Sequence, residues 1–446
     1  MTQALFGTDG IRGTAGVFPL DVRTVRRVGA ALVKALPSSD ARLLIGRDTR
    51  ESGEWIEREL AHGARAAGAT VHSIGVAPTP AVAYLTGSLD FEAGVVISAS
   101  HNPYQDNGIK VFSGAGVKYG AVEERIEQLV ADASWDLPNG QAGAVTRAEH
   151  LRKYLDHARG VLPNPHSLGP VRLAVDCANG AMTSVAPALF KELGFNLTVM
   201  GAAPDGRNIN KGVGSTHPEK LAEIVRRERH RLGVAFDGDG DRAILVDENG
   251  RVLDGDHVLL MCAKQMKADG RLRGNAVVAT VMSNIGLEIA LRKLDIELIR
   301  TQVGDKYVME EMQRRGLSLG GEQSGHLIFS EHLFTGDGLI TALNVLRTMA
   351  VSGRGLADLA DDLTTYPQVL LNVRVREKTR LETIPEVAAV MKKVEEQLNG
   401  NGRLLVRYSG TETLLRVMLE GQKKEEIDRW AEDIADAVRN TIGAQP

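Results

Sequence analysis

Three aspartates separated by single residues, Asp237, Asp239 and Asp241, carry the strongest chemical signal in the chain. They follow an apolar run (residues 232–236) and alternate with glycine in Asp237-Gly238-Asp239-Gly240-Asp241-Arg242. In an extended loop, side chains at every second position project to one side. Three carboxylates brought together this way repel unless a cation joins them. Oxygen ligands alone suit Mg2+, Ca2+ or Mn2+, and the glycines allow positive φ and close approach to a ligand. An EF-hand requires glycine at position six of its loop and helices on both sides. Glu248 does stand at position twelve, but Arg242 occupies six and both flanks read as strands, which rejects that motif. A solvated acidic turn is the alternative.

A second segment, Ile97-Ser98-Ala99-Ser100-His101-Asn102-Pro103, directly follows the apolar run 91–97. The carboxyl end of a strand is where α/β sheets place ligand sites. Ser100 beside His101 is not by itself a catalytic pair, and a polar turn with local hydrogen bonds remains open. In Gly320-Gly321-Glu322-Gln323-Ser324-Gly325-His326, paired glycines permit a tight loop that aims Glu322 and Ser324 outward, where they suit sugar hydroxyls. In Arg407-Tyr408-Ser409-Gly410-Thr411-Glu412, followed by Arg416, arginine, hydroxyls and backbone N–H groups form a potential phosphate cradle. Both stretches also read as ordinary turns.

In Gly7-Thr8-Asp9-Gly10-Ile11-Arg12-Gly13, Arg12 lies in a loop between glycines and can meet an anion, or it can pair with Asp9 or sit on a solvated turn. Lys110, in Asn107-Gly108-Ile109-Lys110, could transfer protons if its pKa is lowered; a solvated lysine is the alternative.

The elements that must position these segments alternate between strand-like and helix-like runs over about the first 350 residues. Strands are expected at 42–46, 70–74, 91–97 and 171–176, and helices at 53–67, 123–131 and 147–159. The order strand 276–281, helix 285–294, strand 297–301, helix 306–315 repeats the plan. The C-terminal part differs: strands at 368–376, 403–408 and 414–419 accompany two amphipathic helices. One has Val387, Val390, Met391, Val394 and Leu398 at helical spacing and Gly400 as its stop; the other has Ile427, Trp430, Ile434 and Val438. The expected fold is α/β, with three similar α/β mixed-sheet domains (1–150, 165–250 and 254–365) and a C-terminal α+β domain (368–446) around a central cleft.

Composition narrows the class. The chain has 446 residues, net charge -4, 43% apolar and 25% charged residues, so nothing points to nucleic acid or an anionic membrane. No run approaches a membrane span and the first residues do not form a signal peptide. Only Cys177 and Cys262 are present, which excludes a disulfide framework and fits buried thiols in a reducing compartment. Cytoplasm is the expected location.

Taken together and in order, these segments resemble the α-D-phosphohexomutase superfamily over nearly the whole chain. Phe6 to Gly13, Gly214-Ser215-Thr216-His217-Pro218-Glu219 and the form Gly321-Glu322-Gln323-Ser324-Gly325-His326 resemble its amino-sugar branch. The resemblance implies an intramolecular phosphotransferase of the isomerase class, interconverting glucosamine 6-phosphate and glucosamine 1-phosphate for cell-wall precursor synthesis. Glucose and mannose phosphates are the alternative substrates.

It further implies that Ser100 becomes a phosphoserine and that Asp237, Asp239 and Asp241, with a phosphoryl oxygen on Ser100, hold Mg2+. Arg12 and Lys110 would assist proton transfer and charge stabilisation, with His101 close by. Glu322 and Ser324, with Arg242, would bind the sugar, and Arg407, Ser409, Gly410, Thr411 and Arg416 the non-reacting phosphate. Hexosamine 1,6-bisphosphate would serve as primer and intermediate, and a homodimer is one expected assembly. Thr413, where proline is common, and Lys306, where arginine is frequent, depart from the family pattern. A phosphatase, or a non-catalytic Ca2+-binding protein built on the aspartate loop, are the rival readings.

Overall fold

The computed structural model describes residues 5–7, 9–38, 40–118, 120–137, 145–409 and 413–444. Its contacts separate two units, residues 1–282 with 298–362, and residues 283–297 with 363–446.

The first unit is built on three sheets. The strands Ala93–Ile97, Leu232–Phe236 and Ala276–Thr280 are buried at every residue. That is why they read as apolar runs without alternation: each lies in a sheet covered on both faces. The first sheet has the order Ile11–Thr14, Asp106–Ser113, Ala93–Ile97, Arg42–Arg47, Thr70–Val76, Thr146–Arg147. Asp106–Ser113 pairs antiparallel with both of its neighbours, placing Arg12 opposite Gly108 and Lys110 opposite Val96. Arg12 therefore belongs to a short edge strand, not to the loop expected from its glycines. The helix expected over 147–159 begins at Leu151, because Thr146 and Arg147 pair with His72 and Ser73.

The second sheet runs Val252–Leu253, Ala243–Asp247, Leu232–Phe236, Arg172–Asp176, Asn196–Met200. Phe236 faces Ala243 across an antiparallel pair, so the aspartate loop is the connection of a hairpin. The third sheet has the order Glu297–Thr301, Ala276–Thr280, Leu319–Gly321, Leu327–Phe329, and the sugar-loop candidates connect the last two strands.

Among the described residues, no helix is long and apolar enough to cross a membrane. Cys177 and Cys262 are buried free thiols, as expected, and burial pushes the Cys262 thiol up to about 12.

A buried carboxylate starts the helix Gly338–Ser352. Asp337 Oδ1 accepts from Ile340 N at 3.0 Å, and Tyr154 Oη donates to both carboxylate oxygens at 3.0 and 2.9 Å. Burial outweighs these bonds and raises the carboxyl from 3.8 to about 7. A raised acid pKa means that the folded state keeps a proton the unfolded chain has released. Stability is thus lost as pH climbs from 3.8 through 7, and the loss is complete above that. Asp337→Asn keeps the cap and an acceptor for Tyr154 but has no charge to bury. In EDTA, its Tm relative to the parent is expected to rise between about pH 5 and about pH 8; a pH-independent Tm difference would contradict the assignment.

The second unit is an antiparallel sheet, Gln368–Arg374, Leu414–Glu420, Arg403–Tyr408, covered by the helices Pro385–Leu398 and Lys424–Ile442. The apolar stripe Ile427, Trp430, Ile434 and Val438 enters its core, with Val387, Val394 and Leu398 from the other helix. That helix stops at left-handed Asn399, one residue before the expected Gly400. Asn284 fastens the helix Ile285–Lys293 within this unit by exchanging bonds with the Tyr366 backbone at 3.0 Å.

Candidate active site

Ser100 follows the end of the buried strand Ala93–Ile97 and is itself fully buried. Its Oγ donates to Asp237 Oδ2 at 2.5 Å and lies 3.3 Å from His101 Nδ1. The two segments that the sequence offers as separate candidates, 137 residues apart, are thus one constellation.

The aspartate loop folds as its spacing predicts. Asp237, Asp239 and Asp241 are buried, each offering a carboxylate oxygen within 4.8 Å of the others. Gly240 takes φ of +74°. Gly238 does not need positive φ; it is needed for space, since a Cβ there would lie 2.5 Å from the Ser100 carbonyl oxygen.

The carboxylates are unequally compensated. Asp237 Oδ1 accepts from Arg242 N at 3.1 Å. Asp239 Oδ2 accepts from Thr79 Oγ1 at 2.6 Å and Lys110 Nζ at 2.9 Å, and Asp241 Oδ2 accepts from Lys110 Nζ at 3.2 Å. The Oδ1 atoms of Asp239 and Asp241 are buried without a hydrogen-bond donor. Such acceptors are costly to leave unmatched, and a set of hard oxygen donors with open lone pairs fits a divalent cation. Burial, then the Asp241 and Asp239 charges, hold the Asp237 carboxyl far above the usual range.

Lys110 differs from its sequence expectation. It is buried on the strand Asp106–Ser113 with Asp9, Asp239 and Asp241 around its ammonium at 3.1, 2.9 and 3.2 Å. Burial alone would lower its pKa, but these three carboxylates raise it well above 10.5. It is a retained cation, not a lysine tuned to give up its proton. His101 behaves oppositely: burial, with Arg242 and Arg12 nearby, lowers its pKa and favours neutral imidazole.

Arg12 pairs with Asp9, and its Nη1 donates to Asn102 Oδ1 at 3.3 Å. The ion-pair alternative is therefore realised, and the same guanidinium lines a cavity of about 620 Å³ with His101, Asp241, Arg242, Glu322 and His326. That volume lies within the usual small-molecule range of about 300–1,000 Å³. Glu322 Oε1 accepts from Gly304 N at 3.1 Å, which orients its carboxylate. Glu322 and Arg242 also line an adjoining cavity of about 360 Å³, to which exposed Ser324 contributes.

The phosphate-cradle candidates lie in the second unit. Arg407 stands opposite Arg416 across the strand pair, so both guanidinium groups start from one end of the hairpin. Ser409 N donates to Leu414 O at 2.8 Å, and Lys378 Nζ donates to Ser409 O at 2.7 Å. Gly410 and Thr411 lie outside the described residues.

Beyond the Arg12–Asp9 pair, several site contacts escape the sequence reading. Asp9 bridges Arg12, Lys110 and Lys118, and Lys118 also pairs with Asp305. His326 accepts from Gly336 N at Nε2 (3.1 Å), which leaves Nδ1–H to face Asp241 Oδ2 at 3.6 Å. Asp9 and His326 stand inside recognised motifs, whereas Lys118 and Asp305, 187 residues apart, carry no local signal.

The phosphoglucomutase/phosphomannomutase family models match in sequence order: α/β/α domain I at residues 3–136, domain II at 152–250, domain III at 254–366 and the C-terminal domain at 370–437. The chain belongs to the phosphoglucomutase/phosphomannomutase family, whose chemistry is intramolecular phosphoryl transfer of the isomerase class. Among its relatives is the phosphoglucosamine mutase of Syntrophus aciditrophicus (strain SB), 47% identical over 98% of this chain and 99% of its own.

A family protein from Burkholderia thailandensis matches in structure with a TM-score of 0.80 and 23% identity, covering 99% of this chain and 98% of that one. The Aspergillus fumigatus N-acetylphosphoglucosamine mutase, solved with GlcNAc-6P and magnesium, matches at 0.65 and 18% identity over 98% of this chain and 95% of its own. These two structural likenesses establish the fold.

Proposed function

We propose that the chain interconverts glucosamine 6-phosphate and glucosamine 1-phosphate through a phosphoserine at Ser100 and a bisphosphorylated sugar. The observation that carries this is Ser100 Oγ seated on Asp237, within a buried three-carboxylate cluster that retains unmatched oxygens. Asp237, Asp239 and Asp241 would hold Mg2+, which when bound supplies positive charge to a transferring phosphoryl group.

The phosphoserine P–Oγ bond breaks as a P–O bond forms to the free sugar hydroxyl, and that hydroxyl's proton leaves to a base. Neutral His101 beside Ser100 is suited to accept or relay it. Protonated Lys110 and Arg12 place positive charge around the reacting oxygens. The bisphosphate then turns around, the P–O bond between its original phosphate and the sugar breaks as a new one forms to Ser100 Oγ, and the proton taken up in the first step returns to the released sugar oxygen, so phosphoryl groups and protons both balance. Glu322, Ser324 and Arg242 would hold the sugar in both orientations. Arg407, Ser409, Gly410, Thr411 and Arg416 would hold the non-reacting phosphate. The buried free thiols support a reducing compartment, the cytoplasm.

The reading is tested by turnover of glucosamine 6-phosphate with Mg2+ and a trace of glucosamine 1,6-bisphosphate, beside glucose 6-phosphate and mannose 6-phosphate. A preference for the amino sugar is expected. Preference for either neutral sugar would overturn the substrate, and stoichiometric release of free phosphate would replace the mutase with a phosphatase.

A further inference from the structure

One buried arginine grips the turn that carries Ser100 from beneath. Arg50 has a fully buried side chain and spends its five N–H donors on five acceptors. Nε bonds Asp48 Oδ2 at 2.8 Å, and Nη1 reaches the carbonyl of Pro103 and, at 2.9 Å, that of Asp106. Nη2 reaches the carbonyls of Ser100 at 2.9 Å and Asn102 at 2.8 Å. Asp48 Oδ2 also accepts from Ser98 Oγ at 2.5 Å, and Ser98 Oγ accepts from Ser100 N at 2.9 Å. Both peptide groups of Ser100 are therefore tied, directly or through one hydroxyl, to the Arg50–Asp48 pair.

A second clamp comes from the part of the chain that carries the aspartates. Asn210 is buried, and its Nδ2 donates to the same two carbonyls, Ser100 at 2.9 Å and Asn102 at 3.2 Å. The turn needs such support because Ser100 sits at φ of +52°, a left-handed conformation unfavourable for a residue with a side chain. Backbone held there persists where its surroundings over-determine it. The product of that constraint is the aim of Oγ, 2.5 Å from Asp237.

With Ser100 read as the phosphoryl carrier, on which this step rests, we propose that Arg50 and Asn210 are positioning residues for phosphoryl transfer. Arg50 fixes the shape of the serine turn, and Asn210 sets that turn in register with the aspartate loop. Neither touches the reacting oxygen. Lysine at position 50 would keep a charge for Asp48 but has three donors and no planar fork, so it cannot span the four carbonyls.

Arg50→Lys and Asn210→Ala would be prepared beside the parent, with folding followed by Tm and circular dichroism. Two quantities would be read: kcat and KM for glucosamine 6-phosphate, and the rate at which Ser100 gains phosphate from glucosamine 1,6-bisphosphate, by intact mass and peptide mapping. Misaiming a reacting group by about 1 Å can cost about 100-fold. A fall in kcat of that order is expected for Arg50→Lys and about tenfold for Asn210→Ala. In each, KM should hold within about twofold and the phosphorylation rate should fall in parallel. A purely structural role would lower Tm and leave kcat per folded molecule unchanged, which would overturn the proposal. If Arg50→Lys does not fold, Asn210→Ala decides alone. A parent enzyme that turns over without phosphate on Ser100 would instead overturn the reading beneath it.

Discussion

Ser100→Ala is expected to lower turnover of glucosamine 6-phosphate by about 10⁴-fold or more, the scale on which loss of a nucleophile acts in a covalent mechanism. The change removes one oxygen and leaves the scaffold. The Arg50 and Asn210 bonds to the serine turn end on backbone carbonyls, which alanine also supplies. What disappears is the donor to Asp237, a carboxylate already destabilised by burial and by two neighbouring anions. Leaving this buried carboxyl without its donor costs about 1–3 kcal/mol, so a folded protein with a modestly lower Tm is expected. Intact mass after incubation with glucosamine 1,6-bisphosphate should show one phosphoryl group on the parent and none on the variant. Normal turnover by the variant, or phosphate retained at another residue, would remove Ser100 from the mechanism. Equal loss of activity and of folded protein would leave no evidence for chemistry at this oxygen, so Tm must be measured on the same sample.

The site was legible in the sequence where its chemistry is local. Alternation of aspartate with glycine fixes one face of a loop, and the buried run before it marks the end of a strand. The serine segment has the same plan, and both segments meet in the structure. What could not be read is the environment created by chain crossings. Lys110 is a single lysine in the sequence; its ammonium is defined by Asp239 and Asp241, 129 and 131 residues away. The condition for its proton-transfer role, a lowered pKa, fails because those charges outweigh burial. Arg12 looked like a loop residue because glycines flank it, yet pairing with Asp106–Ser113 makes the segment a strand. The helix Thr79–Ser88 carries no amphipathic stripe because seven of its residues are buried around its circumference, and periodicity cannot reveal a helix without a wet face. Arg50 has no motif at all: four of its five acceptors are backbone carbonyls, which have no residue identity to recognise.

Lys110→Met should destabilise the protein most in the absence of metal, and added Mg2+ should recover more of that loss than it adds to the parent. Methionine fills a similar volume without charge, so the variant leaves three carboxylates facing a buried space. Removing one partner of a buried ion pair costs about 3–5 kcal/mol. The loss falls unevenly. Asp9 keeps Arg12 and Lys118, whereas Asp239 keeps the Thr79 hydroxyl, and Asp241 keeps Arg242 at 3.7 Å and the His326 ring near it. Asp239 and Asp241 are also the residues whose Oδ1 atoms have no hydrogen-bond donor, so the unbalanced charge settles on the groups best placed to take a cation. Tm measured in EDTA and across a Mg2+ titration separates this account from simple loss of packing. A packing defect would give the same Mg2+ increment in variant and parent, and an unchanged Tm in EDTA would mean that Lys110 does not balance the cluster. Turnover should stay low even where Mg2+ restores Tm, by about 100-fold or more, the scale for removing one preorganised stabilising group. A metal bound through Asp239 and Asp241 can replace the missing charge in the folded state, but it does not restore an ammonium held between Asp9 and the aspartate loop.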